Sequence, residues 1–190
     1  MAIQFTNDEI KRIIEMKTVG DFYPYDIEEN DENAIDDYLK HVAGSLARVN
    51  NLAYEADFEH YGSGYASYVD CFCWKRDGSS TQVKDREQWI EGIRIYLCRL
   101  APVAVFGEGI VTKHINGGSS DFISYNTVDT LPPGDWEMEI QGIKKQLESF
   151  NFQILEREDL KQFLPFKAEI PTIMSNPPYR LFDAFFYWED

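Results

Sequence analysis

Residues 65–76 read YASYVDCFCWKR. Four aromatic side chains fall in twelve positions, with a valine and two cysteines between them. This composition suits a strand with a buried face. The segment just before it, Asp57 to Tyr61, has the same character, and Gly62-Ser63-Gly64 supplies a turn between the two. The middle of the chain therefore reads as paired strands, and the fold class turns on what surrounds them.

Upstream, the period is helical. Thr6-Asn7-Asp8-Glu9 has the spacing of a capping box, followed by Ile10, Ile13 and Ile14 on one face. Gly20 can end that segment. A second helix follows an acidic, turn-prone stretch, with Ile35, Tyr38, Leu39, Val42, Leu46 and Val49 along one side. Downstream, Asp77-Gly78-Ser79-Ser80 is a turn. Asp85 then reads as the cap of a third helix carrying Trp89, Ile93, Tyr96, Leu97 and Leu100 on one face, ended by Pro102. Val103 to Phe106 and Ile110 to Ile115 read as a strand running past Gly107 and Gly109, with Phe122 to Val128 pairing back after Asn116-Gly117-Gly118. Asp135 caps a fourth helix with Trp136, Ile140, Ile143, Leu147 and Phe150 on one side. Phe152 to Leu155 is a strand, Glu158 to Phe163 a short helix, and Ala168 to Pro178 irregular. Tyr179 to Trp188 reads as a closing aromatic strand, with Phe182, Ala184, Phe186 and Trp188 turned to the core. No internal repeat and no flexible linker interrupts this order. The expectation is one α+β domain over residues 1–190, a mainly antiparallel or mixed sheet covered by about four helices.

Charge narrows the partners. The 190 residues carry a formal net charge of −15, yet 15% of them are aromatic. The acidity argues against a nucleic-acid or anionic-membrane surface, which needs clustered Lys and Arg. The aromatic content argues for a folded core. No apolar run approaches the ~18 residues that cross a bilayer. The start, MAIQFTNDEIKR, lacks the basic and apolar regions of a secretory signal. Three cysteines, Cys71, Cys73 and Cys98, read as free thiols in a reducing compartment, so a cytoplasmic location is expected.

The chemistry-bearing patterns are few. Cys71 and Cys73 share a strand face, but Cys98, His41, His60 and His114 do not complete a zinc-ligand spacing. Small buried hydrophobes are the simpler reading of these thiols. A calcium loop counted from Asp26 has Asp31 where glycine is needed and Asp37 where glutamate is needed. Gly62-x-Gly64 and Gly107-x-Gly109 lack the third glycine of a dinucleotide fingerprint. The expectation is no metal, no cofactor and no catalytic residue. The densest charge cluster is Asp26, Glu28, Glu29, Asp31, Glu32, Asp36 and Asp37, with no Lys or Arg among them. Such a cluster reads first as a solvated loop and helix N-terminus. Read functionally, Glu28, Glu29, Asp31, Glu32, Asp36 and Asp37 form a face for a basic protein partner.

Three segments, Leu100–Glu108, Leu131–Trp136 and Phe182–Asp190, resemble those of small, uncharacterised acidic proteins of the bacterial cytoplasm. Some proteins of this size and acidity are similar to immunity proteins of polymorphic toxin systems, and the resemblance implies a non-enzymatic protein that occludes a basic toxin. The alternative expectation is a small-molecule-binding domain or enzyme with a pocket lined by aromatics such as Tyr65, Tyr68, Trp74 and Phe106. A third is a structural subunit, which would expose a large apolar patch.

Overall fold

The computed structural model describes residues 5–190, so the first four residues of the expected domain lie outside it. The fold is α+β, built on a seven-stranded sheet. Its central strands are β3 (Tyr68–Lys75), β5 (Glu87–Cys98) and β6 (Val103–His114). The sheet order is β1 (Leu52–Asp57), β3, β5, β6, β7 (Gly117–Ser120), with β4 (Thr81–Lys84) also on β5 and the short β8 (Gln153–Ile154) also on β6. All pairings are antiparallel except that of β6 with β8, which is parallel. A second, two-stranded sheet joins β2 (Tyr65–Ala66) to β9 (Trp188–Glu189).

Alternation gives the sheet two unlike faces. Val69, Cys71 and Cys73 of β3, Ile93, Ile95 and Leu97 of β5, and Ala104 and Phe106 of β6 pack against α2 (Glu32–Ser45) and α3 (Glu137–Ser149). The opposite face is covered at one end only. There Tyr68, Tyr96, Cys98, Val103 and Val105 meet α1 (Asn7–Ile14), α4 (Arg157–Leu160) and α5 (Leu181–Phe185). At the other end Phe72, Ile90 and Val111 make a small cluster with Trp74 and no helix above it. Asp70 and Arg94 lie on this face between the two ends.

Three helices form where their patterns predict, although α1 ends at Ile14 rather than near Gly20 and α3 has Trp136, not Asp135, as its N-cap. Thr6 and Glu9 close the capping box of α1 in both directions, Asp31 caps α2, and the apolar stripe of α3 is buried. The expected third helix is instead β5, and Asp85, with φ +57, sits in the turn from β4 into it. The reason is burial on both sides. Ile93, Ile95 and Leu97 face one layer while Ile90, Tyr96 and Cys98 face the other, so apolar side chains fall on both faces and their spacing also fits a helix. Pairing with β6 from Glu87 to Leu97 decides the matter.

Three other expectations shift. The first strand of the middle region is β1, and the residues after Asp57 turn over a 3-10 segment, His60–Gly62. The strand that pairs back on β6 is β7. Phe122 to Val128 is a loop that pairs with β6 through the isolated Gly107–Val128 bridge. The closing aromatic strand is α5 followed by β9, with Asp183 accepting from the Arg180 amide at 2.6 Å to start the helix. Both predicted faces are buried there: Phe185 and Tyr187 are fully covered, and Trp188 is half-exposed.

Candidate functional site

The uncovered end of the sheet face forms a cleft of about 480 Å³. Its floor is Phe72 and Val111, its depth Asp70 and Arg94, and its rim Glu55, Asp57 and Glu59. Tyr61 and Phe122 close one side. Glu55 and Asp57 share a strand face in β1, and Glu59 follows where the chain leaves that strand.

Glycines make room for the deep pair. Gly92 and Gly109 stand opposite each other in β5 and β6. A Cβ on Gly92 would come within 2.7 Å of the Phe72 ring, and one on Gly109 within 3.3 Å of Phe72 and of Arg94 Nε. Both side chains therefore lie flat on the sheet, and the guanidinium sits 5.1 Å from the Phe72 centroid.

Asp70 and Arg94 are 5% and 4% exposed. Arg94 Nη1 donates to both Asp70 oxygens at 2.8 and 2.7 Å, and Tyr61 Oη donates to Asp70 Oδ2 at 2.7 Å. Arg94 Nη2 donates to Ser120 of the edge strand β7. Burial pushes the Asp70 carboxyl above the usual carboxylate range, against the opposing pull of Arg94 and Tyr61. Burial likewise raises Tyr61, with Asp70 adding to the shift, and lifts Tyr68 to about 12, so these hydroxyls remain donors at neutral pH. Asp70 thus spends its oxygens inside the protein. Arg94 Nε makes no hydrogen bond among the described residues and stands 3.6 Å from its ion-pair partner Asp121 Oδ1.

The loop carrying Tyr61 is held under strain. His60 and Tyr61 take φ of +51 and +58, a region L-residues adopt at a cost of ~1–2 kcal/mol each. Asp57 Oδ1 accepts from the amides of Glu59 and Tyr61 at 2.8 and 3.3 Å. His60 Nδ1 accepts from the Ala66 amide at 3.0 Å, which puts the ring proton on Nε2, 2.9 Å from Glu32 Oε1. Arg99, 1% exposed, donates to the carbonyls of Phe58, Ala66 and Tyr68 and to Asp36 Oδ1 at 2.9 Å.

The predicted acidic face is therefore divided. Asp36 is the counter-ion of Arg99, and Glu32 the partner of His60. Asp31 accepts from the Ala34 amide at 3.1 Å, and Asp37 pairs with Lys40 at 3.0 Å. Asp26, Glu28, Glu29 and Asp31 are the exposed acids of the stretch with no cationic partner within 4.0 Å among the described residues, and Asp31 is engaged as the cap of α2. Asp26 and Glu28 line a separate cleft of about 500 Å³ with Glu9, Arg12 and Asp21. Reading the stretch by charge alone missed Arg99 and His60, which reach it from 63 and 28 residues away in the chain.

The four aromatics proposed for a pocket do not converge. Phe106 faces α2 and α3, Trp74 and Tyr68 lie on the opposite face, and Tyr65 sits in β2. Tyr68 does line a second cleft of about 340 Å³, with Tyr96, Ser124, Asn126, Asn176 and Arg180, and Phe122 is its shared wall with the first. The three cysteines are free and buried, their thiols raised by burial. Among the described residues no group of three or more His, Cys, Asp and Glu is placed to hold a metal ion, and no helix is long and apolar enough to cross a membrane. No family model, curated protein or solved structure matches the chain.

Proposed function

We propose that this chain is a non-enzymatic binding protein of the bacterial cytoplasm whose acidic surface meets a basic protein partner. An immunity protein that occludes a toxin is its most concrete form. One observation carries the reading: the cleft on the open sheet face has Asp57 and Glu59 on its rim, and no Lys or Arg of the chain lies within 4.0 Å of either among the described residues. Uncompensated carboxylates around a concave, partly aromatic surface favour a cationic visitor. Glu28 and Glu29 extend the negative field beyond the cleft. Binding would work by steric occlusion, with charge steering raising the association rate by ~10–10³-fold at low salt.

Affinity capture from a bacterial lysate tests this, with the wild type and a Glu28→Lys/Glu29→Lys/Glu59→Lys variant as baits at low and high salt. The expected outcome is a basic protein held by the wild type, released by salt and lost with the variant. Equal retention by both baits overturns the reading.

A small-molecule-binding domain or enzyme is the second reading. The cleft of about 340 Å³ supports it, because tyrosine, serine and asparagine groups converge there in a volume fit for a small ligand. A compound that raises Tm equally in the wild type and in Glu59→Lys would favour it.

A further inference from the structure

The cleft of about 340 Å³ holds two opposite charges that the chain does not join, on Arg180 and Asp183. The Arg180 guanidinium lies 4.5 Å from the Tyr125 ring centroid and 4.2 Å from that of Phe163, so two rings hold its plane in place. Its Nη1 is spent on the Lys161 carbonyl at 2.5 Å. Nε and Nη2 make no hydrogen bond among the described residues, and neither is a buried atom. These two donors form the edge that grips a carboxylate side-on. No carboxylate lies within 4.0 Å of this guanidinium among the described residues, although the chain carries 33 acids against 18 Lys and Arg. Asp183 is the complementary group. Its Oδ2 accepts the Arg180 amide at 2.6 Å, which fixes the carboxylate in place. Its Oδ1 accepts nothing among the described residues and is not buried either. Between the two charges the wall is largely apolar, with Phe122, Phe182 and Phe186. A fixed cation edge, a fixed anion and an apolar wall in one small cleft complement a molecule that carries all three opposites.

We infer that this cleft binds a small zwitterion, a free α-amino acid with an apolar side chain. Its carboxylate lies on the Nε–Nη2 edge of Arg180, its ammonium meets Asp183, and its side chain packs on Phe122, Phe182 and Phe186. This names the ligand class of the small-molecule reading and rests on it. It goes beyond the partner reading, which uses the other cleft.

The test is an NMR titration of the isotopically labelled protein with L-phenylalanine and L-leucine, and with two compounds that each lack one charge. L-phenylalaninamide has no carboxylate, and 3-phenylpropionate has no ammonium. The expected result is a shift of the Arg180 Nε–H signal and of the Asn126 and Asn176 side-chain amides, which line the same cleft. Each one-charge compound should bind about tenfold more weakly than phenylalanine, because each forfeits a charge-assisted hydrogen bond. Arg180→Gln should weaken phenylalanine about tenfold and leave phenylalaninamide unchanged. Asp183→Asn keeps an acceptor for the Arg180 amide, and should weaken phenylalanine while leaving 3-phenylpropionate no weaker. Asp8→Asn, at a side chain 92% exposed on α1, should change none of these. The comparison of compounds on the wild type decides the matter even if a variant fails to fold. Equal affinity for all the phenyl compounds, or no shift at the cleft with either amino acid, overturns the inference. If 3-phenylpropionate binds as tightly as phenylalanine, or only an unrelated compound seats in the cleft, the zwitterion is wrong and the small-molecule reading stands.

Discussion

The stretch from Asp26 to Asp37 and the rim of the sheet-face cleft are both acidic, but their carboxylates do different work. In the stretch, charge is dense in sequence and mostly spent in space: Asp36 neutralises a buried arginine, Glu32 orients His60, and Asp31 caps a helix. On the rim, three acids separated by single residues converge on a cavity, and two of them meet no cation of the chain. Charge density along a sequence therefore says little about availability. Asp57, like Asp31, accepts backbone amides, so of the rim acids Glu59 is the one with neither a cation nor a side-chain hydrogen bond among the described residues. The two regions are also joined. Arg99 ties α2, through Asp36, to the carbonyls of the segment that carries Tyr61 into the cleft.

The contrast breaks most visibly at Asp36. Asp36→Ala strips the counter-ion from a guanidinium that is 1% exposed, and should destabilise by ~3–5 kcal/mol. Glu28→Ala, a few residues away in the same cluster, should stay within ~0.5 kcal/mol. Chemical denaturation of the two variants checks both. Equal, small effects would return Asp36 to the solvated face.

The deep pair of the cleft should behave in a way that sharpens its distinction from the Asp36–Arg99 tether. Asp70→Asn alone leaves Arg94 buried beside a neutral group and should cost ~3 kcal/mol or more. Asp70→Leu together with Arg94→Met removes both charges and should be neutral or stabilising, as buried pairs often are when replaced by apolar groups. That double variant should still fold cooperatively. A double variant as unstable as the single one would make the pair a structural necessity.

A smaller effect follows from the raised carboxyl of Asp70. Its folded pKa lies above its unfolded value, so between the two the native state binds more protons than the unfolded state. The contribution is fully present below the unfolded pKa and is lost as pH rises through the folded one. The stability of the wild type relative to the double variant should therefore fall on going from acid toward neutral pH, opposite to ordinary acid denaturation. The difference cancels the other carboxylates. A difference that is flat or rises with pH contradicts the sign.

How much of this was legible in the sequence depends on what each residue faces. The helices α1, α2 and α3 are buried on one side only, so their periods identify them, and the capping box of Thr6 and Glu9 adds to the signal of α1. Strand β5 has no such asymmetry, and Gly92, a poor helix-interior residue, was its one local sign. The misreading hid the site as well. In a helix Arg94 belongs to a solvated face. In a strand it is a lone cation on an apolar run, and Asp70 in β3 is the lone anion to match it, paired only once β3 and β5 lie side by side. The rim acids Glu55, Asp57 and Glu59 alternate in the sequence and were within reach, but the denser cluster from Asp26 onward drew the charge argument away from them.

The last comparison sets Glu28 and Glu29 against the rest of their own stretch. Reversing Glu28, Glu29, Asp31 and Glu32 together would confound binding with folding, since Asp31 caps α2 and Glu32 holds His60. Glu28→Lys/Glu29→Lys avoids this, because both side chains are exposed and neither has a cationic partner among the described residues. Thermal stability should be nearly unchanged, as exposed charges each contribute ~0–1 kcal/mol. Association with a captured basic partner should slow by up to about tenfold at low salt, and the salt dependence of the rate should flatten, because the long-range part of the field is what salt screens. The off-rate should change little, since it is governed by groups in contact. Glu59→Gln should do the reverse, raising the off-rate and leaving the salt slope nearly intact. Stopped-flow at two salt concentrations separates the two. If both substitutions act on the same rate constant, the stretch and the cleft rim are one surface, and their division into a steering field and a contact surface is wrong.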